Sequence, residues 1–337
     1  MADKLYFVIP CYNEEEVLPE TARRLQEKMH ALIKSGMISG DSRVVFVNDG
    51  SGDRTWEIIR NLHEKDGLFS GVNLSRNRGH QNALLAGLMT VRPYCDMAIS
   101  MDADLQDDIN ACDRMLEKYY SGSDIVYGVR SARKTDTWFK RTTAEGFYSL
   151  MKHMGTNTVS NHADFRLMSR RALDGLSEFG EVNLFLRGIV PMIGYPSDVV
   201  YYERAERFAG TSKYPLKKML SFAVEGITSL SIEPLRIISQ LGIAVFLVSI
   251  AILIYSLIRY AMGATVPGWT FLAISIWAIG GLILLALGVI GEYIGKIYLE
   301  TKARPRYLIR EFLDSEHGFD TDNPRNLTRK DKYPFHS

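Results

Sequence analysis

The chain has 337 residues, 46% of them hydrophobic, and a formal net charge of +1. That length and apolar share hold one large or two ordinary domains with a sizeable core, and the near-neutral charge excludes a nucleic-acid binder that works through a basic surface. The three cysteines, Cys11, Cys95 and Cys112, show neither metal-ligand spacing nor an even-numbered disulfide framework, which fits a reduced cytoplasm.

No apolar stretch behind a basic flank precedes the first β-like run, so no signal peptide is expected. That run, Leu5-Tyr6-Phe7-Val8-Ile9, stops at Pro10. Asn13 is placed to cap a helix running to about Lys34, with Glu14, Glu15 and Glu16 in its first turn and Leu18, Ala22, Leu25, Met29 and Leu32 on one face. A second buried strand, Val44-Val45-Phe46-Val47, ends in the turn Asn48-Asp49-Gly50-Ser51-Gly52-Asp53, and Asp53 or Thr55 opens the next helix. Residues 69–74 read as a third strand. The string Arg76-Asn77-Arg78-Gly79-His80-Gln81-Asn82 leads into a helix over 83–91, and residues 97–101 read as a fourth strand. Strand and helix alternate four times, the pattern of a parallel α/β sheet with right-handed crossovers.

Ligands bind such sheets at the carboxyl ends of the strands, and here each strand runs into polar residues. The fourth runs into Asp102-Ala103-Asp104-Leu105-Gln106-Asp107. An isolated Asp-x-Asp is commonly a solvated turn. At the end of a buried strand, however, two carboxylates repel and resist burial, and a hard divalent cation shared with substrate phosphates removes that cost. No Gly-x-Gly-x-x-Gly or Walker loop is present, so neither a classical dinucleotide site nor a P-loop is indicated.

A further strand is expected over 125–129, then a loop with Arg130, Arg133, Lys134, Trp138, Phe139, Lys140 and Arg141, suited to a phosphate or a membrane surface. In the next segment, alternation sets Asp164 and Arg166 on one face of a strand and Ala163, Phe165 and Leu167 on the other. An acid beside an arginine is commonly a structural ion pair. A helix over 182–193 and a strand over 199–202 follow, then a loop containing Arg207, Gly210, Ser212 and Lys213.

Composition shifts after Arg236. Residues 237–258 and 270–290 carry no charge, and each is long enough to cross a hydrocarbon core of roughly 30 Å as a helix. Lys296, Lys302, Arg304, Arg306 and Arg310 follow the second run, while the link between the runs contributes only Arg259, so the charge rule puts both termini in the cytoplasm. The expected division is a cytoplasmic domain over 1–213, an amphipathic interfacial helix region over 214–235, a two-helix transmembrane hairpin within 236–295, and a basic and polar tail over 296–337, poorly ordered after about Leu313. A hairpin with so few polar groups is also suited to packing against copies of itself.

The strings Val8-Ile9-Pro10-Cys11-Tyr12-Asn13-Glu14, Val47-Asn48-Asp49-Gly50-Ser51-Gly52-Asp53 and Asp102-Ala103-Asp104-Leu105-Gln106-Asp107, in this order, resemble family 2 glycosyltransferases of the GT-A fold. Segments 75–82, 163–168 and 210–214, followed by two spans, narrow the resemblance to polyisoprenyl-phosphate glycosyltransferases, such as the bactoprenol glucosyltransferases and dolichyl-phosphate mannose synthases. The resemblance covers about residues 4–312. It implies a Rossmann-like, mostly parallel sheet and transfer of a hexose, with inversion, from a nucleotide sugar to a polyprenyl phosphate at the cytoplasmic face of the cell membrane. UDP-glucose is the favoured donor, ahead of UDP-N-acetylglucosamine, UDP-galactose and GDP-mannose, and undecaprenyl phosphate the expected acceptor.

The resemblance also implies roles for single residues. Pro10, Tyr12, Glu14 and Asp49 would hold the base and ribose, with Arg76 and Gly79 near the nucleotide or its phosphates. Asp102 and Asp104 would bind the sugar and a Mg²⁺ or Mn²⁺ ion, with Gln106 as an additional ligand. Asp164 matches the proposed catalytic carboxylate, as a base or as an orienting group. Arg130 and Arg141 match positions that hold the acceptor phosphate, and Arg207, Ser212 and Lys213 fall in the loop that closes over the diphosphate. Two rival readings are a processive polysaccharide synthase and a non-catalytic nucleotide-sugar-binding scaffold. The first would carry a Gln-x-x-Arg-Trp motif and more spans, where this chain has Gly-Thr-Ser-Lys-Tyr and two runs. The second has no need of the Asp pair.

Overall fold

The protein is described by a computed structural model covering residues 2–131, 162–203, 228, 231–262 and 268–320. These fall into two compact units. The first holds residues 2–131, 162–203 and 305–320, and the second holds 228, 231–262 and 268–304.

The first unit begins with four strand–helix pairs. They are β1 (Leu5–Cys11) with α1 (Leu18–Lys34), β2 (Arg43–Asn48) with α2 (Thr55–Lys65), β3 (Phe69–Leu74) with α3 (His80–Val91), and β4 (Met97–Ser100) with α4 (Ala111–Tyr120). Then come β5 (Ile125–Arg130), β6 (His162–Ser169), α5 (Arg170–Ser177), α6 (Leu186–Met192) and β7 (Ser197–Tyr202). After the second unit, β8 (Ile309–Leu313) and β9 (Phe319–Asp320) close the sheet, whose order is β7-β5-β6-β4-β1-β2-β3-β8-β9. The central strands β3, β2, β1 and β4 are parallel, as the alternation implies, while β6 runs antiparallel between β4 and β5, and β8 antiparallel to β3.

Strand alternation builds the core on both faces. Leu5, Phe7, Ile9 and Cys11 of β1 point into one layer with Leu18, Leu25 and Met29 of α1 and Phe46 of β2. Tyr6 and Val8 point into the other with Val45, Val47 and α3. Residues 83–91 of α3 are buried on every side, and Gly87 permits this. A Cβ there would lie 2.5 Å from Val47 Cγ2 and Val8 Cγ1, so only glycine lets the helix come so close to the sheet. Burying one large apolar side chain contributes about 1.5–3 kcal/mol, so the two layers supply the main stabilisation of this unit.

Three sequence expectations are corrected here. Asn13 does not cap α1. It takes a left-handed backbone (φ 54°), and the helix starts later, at Leu18, with Pro19 in its first turn. The glutamates 14–16 therefore precede the helix. The helix expected over 182–193 is confined to Leu186–Met192, since Phe185 is extended (φ −132°, ψ 81°). The segment after the apolar helices is not simply a polar tail. β8 hydrogen-bonds to β3, Phe312 is buried, and β9 pairs with β8 beyond Leu313. A single apolar–charged alternation in Ile309-Arg310-Glu311-Phe312 was too short a signal to read as a strand.

The second unit holds α7 (Glu233–Ala261) and α8 (Trp269–Thr301). Both are long and apolar enough to cross a membrane. They outrun the uncharged stretches at 237–258 and 270–290, because helix-forming charged residues such as Glu292, Lys296 and Glu300 continue α8 past the apolar part. Apart from residues 228 and 231–235, the expected interfacial helix region lies outside the described residues.

Candidate active site

The strand ends bring four loops to one edge of the sheet, and hydrogen bonds join them. The loop after β1 is stitched to the loop after β2. Asn13 N–H donates to Ser51 Oγ at 3.0 Å, Gly52 N–H to Asn13 Oδ1 at 2.9 Å, and Glu14 N–H to Thr55 Oγ1 at 2.9 Å. Pro10 is buried in β1, Tyr12 is exposed, and Glu14 is half-buried. A cavity of about 500 Å³ is lined by Glu14, Glu15, Glu16 and Asp53 with Asn13, Val17 and Gly52. Its acidic wall does not suit a diphosphate.

Asp49 is buried at the end of β2. Its Oδ1 accepts from Arg78 N–H at 2.7 Å and its Oδ2 from Gly79 N–H at 2.9 Å, so this carboxylate shapes the loop carrying Arg76 and Gly79. Burial raises its pKa above the usual carboxylate value, against the pull of those two N–H groups. Gly50 (φ 64°) makes the close approach possible, because a Cβ there would lie 2.5 Å from the Asn77 nitrogen. Arg76 is exposed.

The Asp-x-Asp turn follows β4. Thr21 Oγ1 of α1 donates to the Ala103 carbonyl at 2.8 Å, and Gln106 N–H donates to Asp104 Oδ1 at 3.2 Å. Leu105 takes a left-handed backbone (φ 58°), which is costly for a γ-branched residue and common at functional turns. Asp102 and Asp104 are half-buried and Gln106 is buried. Removal from water pushes Asp102 up to about 6. His80 opposes the shift, and Asp107, Asp164 and Asp104 add to it. Among the described residues no three His, Cys, Asp or Glu side chains form a cage for a metal. The donors present, two crowded carboxylates with the Gln106 amide nearby in the turn, fit instead a hard divalent ion that takes the rest of its shell from phosphate oxygens.

Asp164 lies on β6, tied to β4 by a hydrogen bond from Ser100 Oγ to its carbonyl. Its buried carboxylate pairs with Arg166 at 2.7 Å and Arg187 at 3.1 Å. His80 Nε2 stands 3.5 Å from Asp164 Oδ2 and equally far from Asp102 Oδ1, so it joins the two acids. Burial disfavours charge on Asp164. The His80 hydrogen bond and the charges of Arg187 and Arg166 outweigh it and hold the carboxyl well below its ordinary range. Partial loss of water lowers the pKa of His80, whose side chain stays 42% exposed, but Asp164 and Asp102 raise it overall. An acid held this firmly ionised is a weak base and a good fixed charge.

Arg130, at the end of β5, donates to Asp107 and to the Tyr202 hydroxyl. Its side chain stays 27% exposed, enough to meet a ligand. Arg141, Arg207, Ser212 and Lys213 lie outside the described residues. His80, Arg187, Asp107 and Tyr202 join the site without having been expected from the sequence. Arg187 had a signal, as a lone charge within the apolar stretch 184–190. His80 and Tyr202 had none, because their partners come from distant strands.

Residues 6–176 match the family model Glycosyl transferase family 2. Over 305 residues the chain is 53% identical to the uncharacterized glycosyltransferase YkoT of Bacillus subtilis, covering 90% of each chain. It is 41% identical over 312 residues to the bactoprenol glucosyl transferase of Shigella phage SfX, covering 91% of this chain and 99% of that one. Among solved structures it resembles glucosyl-3-phosphoglycerate synthase from Mycobacterium tuberculosis, with a TM-score of 0.45, 15% identity, and coverage of 68% of this chain and 77% of that one. With its parallel β3-β2-β1-β4 core and the Asp-x-Asp turn after β4, the chain belongs to glycosyl transferase family 2 and is a glycosyltransferase of the GT-A type.

Proposed function

We propose that the protein transfers a hexose, glucose in the first instance, from a UDP-sugar to a polyprenyl phosphate, undecaprenyl phosphate being the expected lipid. The observation that carries this reading is the meeting at one sheet edge of a crowded carboxylate pair, Asp102 and Asp104, with the fixed anion Asp164 and the anchored, partly exposed Arg130. The 41% identity to a bactoprenol glucosyl transferase supports the lipid acceptor, and the two long apolar helices suit an enzyme that meets a lipid at the bilayer.

Tyr12, Glu14 and Asp49 with Pro10 bind the nucleoside, and the loop of Arg76 and Gly79 lies near its phosphates. Asp102 and Asp104, with Gln106, would hold Mg²⁺ or Mn²⁺. A divalent ion bound there would supply Lewis-acid stabilisation of the charge on the departing diphosphate. Arg130, with Arg141, orients the acceptor phosphate. An oxygen of that phosphate attacks the sugar C1, the C1–O bond to the diphosphate breaks, and the nucleoside diphosphate leaves with the electron pair, inverting C1. The attacking group is already an anion, so positioning matters more than proton removal. Asp164, held ionised by two arginines, orients the sugar and its neighbours rather than acting as a strong base. Arg207, Ser212 and Lys213 close over the diphosphate. The catalytic unit and both termini lie in the cytoplasm.

A donor panel tests the reading. Purified full-length protein, undecaprenyl phosphate and Mn²⁺ are combined with UDP-glucose, UDP-N-acetylglucosamine, UDP-galactose or GDP-mannose. UDP-glucose should give the highest kcat/KM, and EDTA should abolish transfer. Preference for GDP-mannose, or full activity in EDTA, would contradict the donor or the metal.

A further inference from the structure

Asp107 belongs to the same turn as Asp102 and Asp104, yet the reaction as drawn gives it no part. Its side chain is 0% exposed. Arg130 Nη2 donates to Asp107 Oδ1 at 3.1 Å, the Tyr202 hydroxyl donates to the same oxygen, and Arg130 Nε donates to the Tyr202 hydroxyl oxygen at 3.2 Å. The three side chains thus close a ring of hydrogen bonds. Backbone register fixes half of it. Arg130 and Tyr202 are paired residues of parallel β5 and β7, and Ser131 N–H donates to the Tyr202 carbonyl at 2.9 Å. The Tyr202 ring stands edge-on to Phe165, the residue after Asp164, at 5.3 Å and 88°.

One feature argues against a purely structural ring. Asp107 Oδ2 is buried with no hydrogen-bond partner among the described residues. An ion pair with an unmatched buried oxygen stabilises a fold less than well-packed apolar side chains would. Pairing with Asp107 also cancels charge that an arginine would otherwise offer a phosphate. What the ring supplies in return is direction. A free arginine must freeze several rotamers when it binds, and one held at two of its nitrogens does not.

We propose that Asp107 and Tyr202 are positioning residues for the acceptor, locking Arg130 so that it meets the phosphate already oriented. Because Asp107 follows Asp104 by three residues, the turn that carries the metal-binding pair also carries the anchor of the acceptor arginine. Donor and acceptor are thereby held at one spacing. This rests on the reading of Arg130 as a contact to the acceptor phosphate.

The test is a double-mutant cycle on the full-length enzyme, with undecaprenyl phosphate and a short soluble prenyl phosphate as alternative acceptors. Tyr202→Phe keeps the ring against Phe165. It should raise the KM of both acceptors by about tenfold, the usual worth of a hydrogen bond to a charged group, with the donor KM within about twofold. Asp107→Asn should show the same split. In an Arg130→Ala background Tyr202→Phe should add less than about twofold, since the residue acts through the arginine. Full, multiplicative losses in that background, a rise in donor KM, or an effect on the lipid acceptor alone would overturn the proposal. If Arg130→Ala raises the acceptor KM while Tyr202→Phe changes nothing, the positioning claim falls and the reading of Arg130 stands. If Arg130→Ala raises only the donor KM, both fall.

Discussion

At the scale of residues, Asp104 and Asp164 are both acidic and both sit in the site, but their surroundings set them apart. Asp104 is a half-exposed member of a crowded pair, whereas Asp164 is buried against Arg166 and Arg187. Asp104→Asn should therefore nearly abolish transfer and leave the melting temperature unchanged, because an anionic ligand is lost and no packing is. Retention of full activity at low Mn²⁺ would remove the metal from this turn. Asp164→Asn should lose activity and also destabilise the protein by about 3 kcal/mol, since Arg166, 1% exposed, would be left as a buried charge with a weakened partner. Thermal unfolding of the two variants side by side separates the roles, and an unshifted melting temperature for Asp164→Asn would contradict the ion-pair account. The sequence made the acids legible because two aspartates after an apolar run are unusual chemistry. It also made Asp164 and Arg166 legible as a pair, since strand alternation puts them on one face. His80 was not legible as their link, because Asp102 and Asp164 lie far from it in the chain and come within 3.5 Å of it only in the fold.

Elements tell a similar story. The four strand–helix repeats and the parallel core follow from local pattern: short β-branched runs, turns rich in Gly and Asp, and helical spacing of apolar residues. The strand β8 does not, because its pairing with β3 spans more than two hundred residues and its own five residues carry little signal. Yet it is part of the fold. Arg60 Nη2 pairs with Glu311 at 2.8 Å, Ser70 Oγ with Asp314 at 3.0 Å, and Ser75 N–H donates to the Leu308 carbonyl at 2.9 Å, next to the Arg76 loop. Phe312, 2% exposed, packs with Tyr94 and Phe319. Phe312→Ala should cost about 3–5 kcal/mol, the range for a buried phenylalanine, read as a lower unfolding midpoint. A cost below about 1 kcal/mol would return the segment to the status of a tail.

For the whole molecule, the sequence order itself limits topology. Residues 162–203 and 305–320 share one compact unit, and both apolar helices lie between them in the chain. If either helix crosses a bilayer the other must cross back, which agrees with the charge bias read from the sequence. In sealed cells carrying a cysteine-free protein, an impermeant thiol reagent should label a cysteine placed at Gly263 and spare one placed at Ser315. Labelling at Ser315 would mean an odd number of crossings or an inverted insertion, and either would contradict this topology. All three native cysteines are buried, so their replacement by small apolar residues is the only change the background needs. What the molecule as a whole is proposed to do is move a sugar onto a lipid phosphate, and acceptor dependence tests that most directly. Purified enzyme is incubated with radiolabelled UDP-glucose and Mn²⁺, with and without undecaprenyl phosphate, and label is counted in the organic phase. Label should appear in the lipid only when undecaprenyl phosphate is present and Asp104 is intact. Lipid-free labelled polymer, or equal labelling by Asp104→Asn, would contradict it.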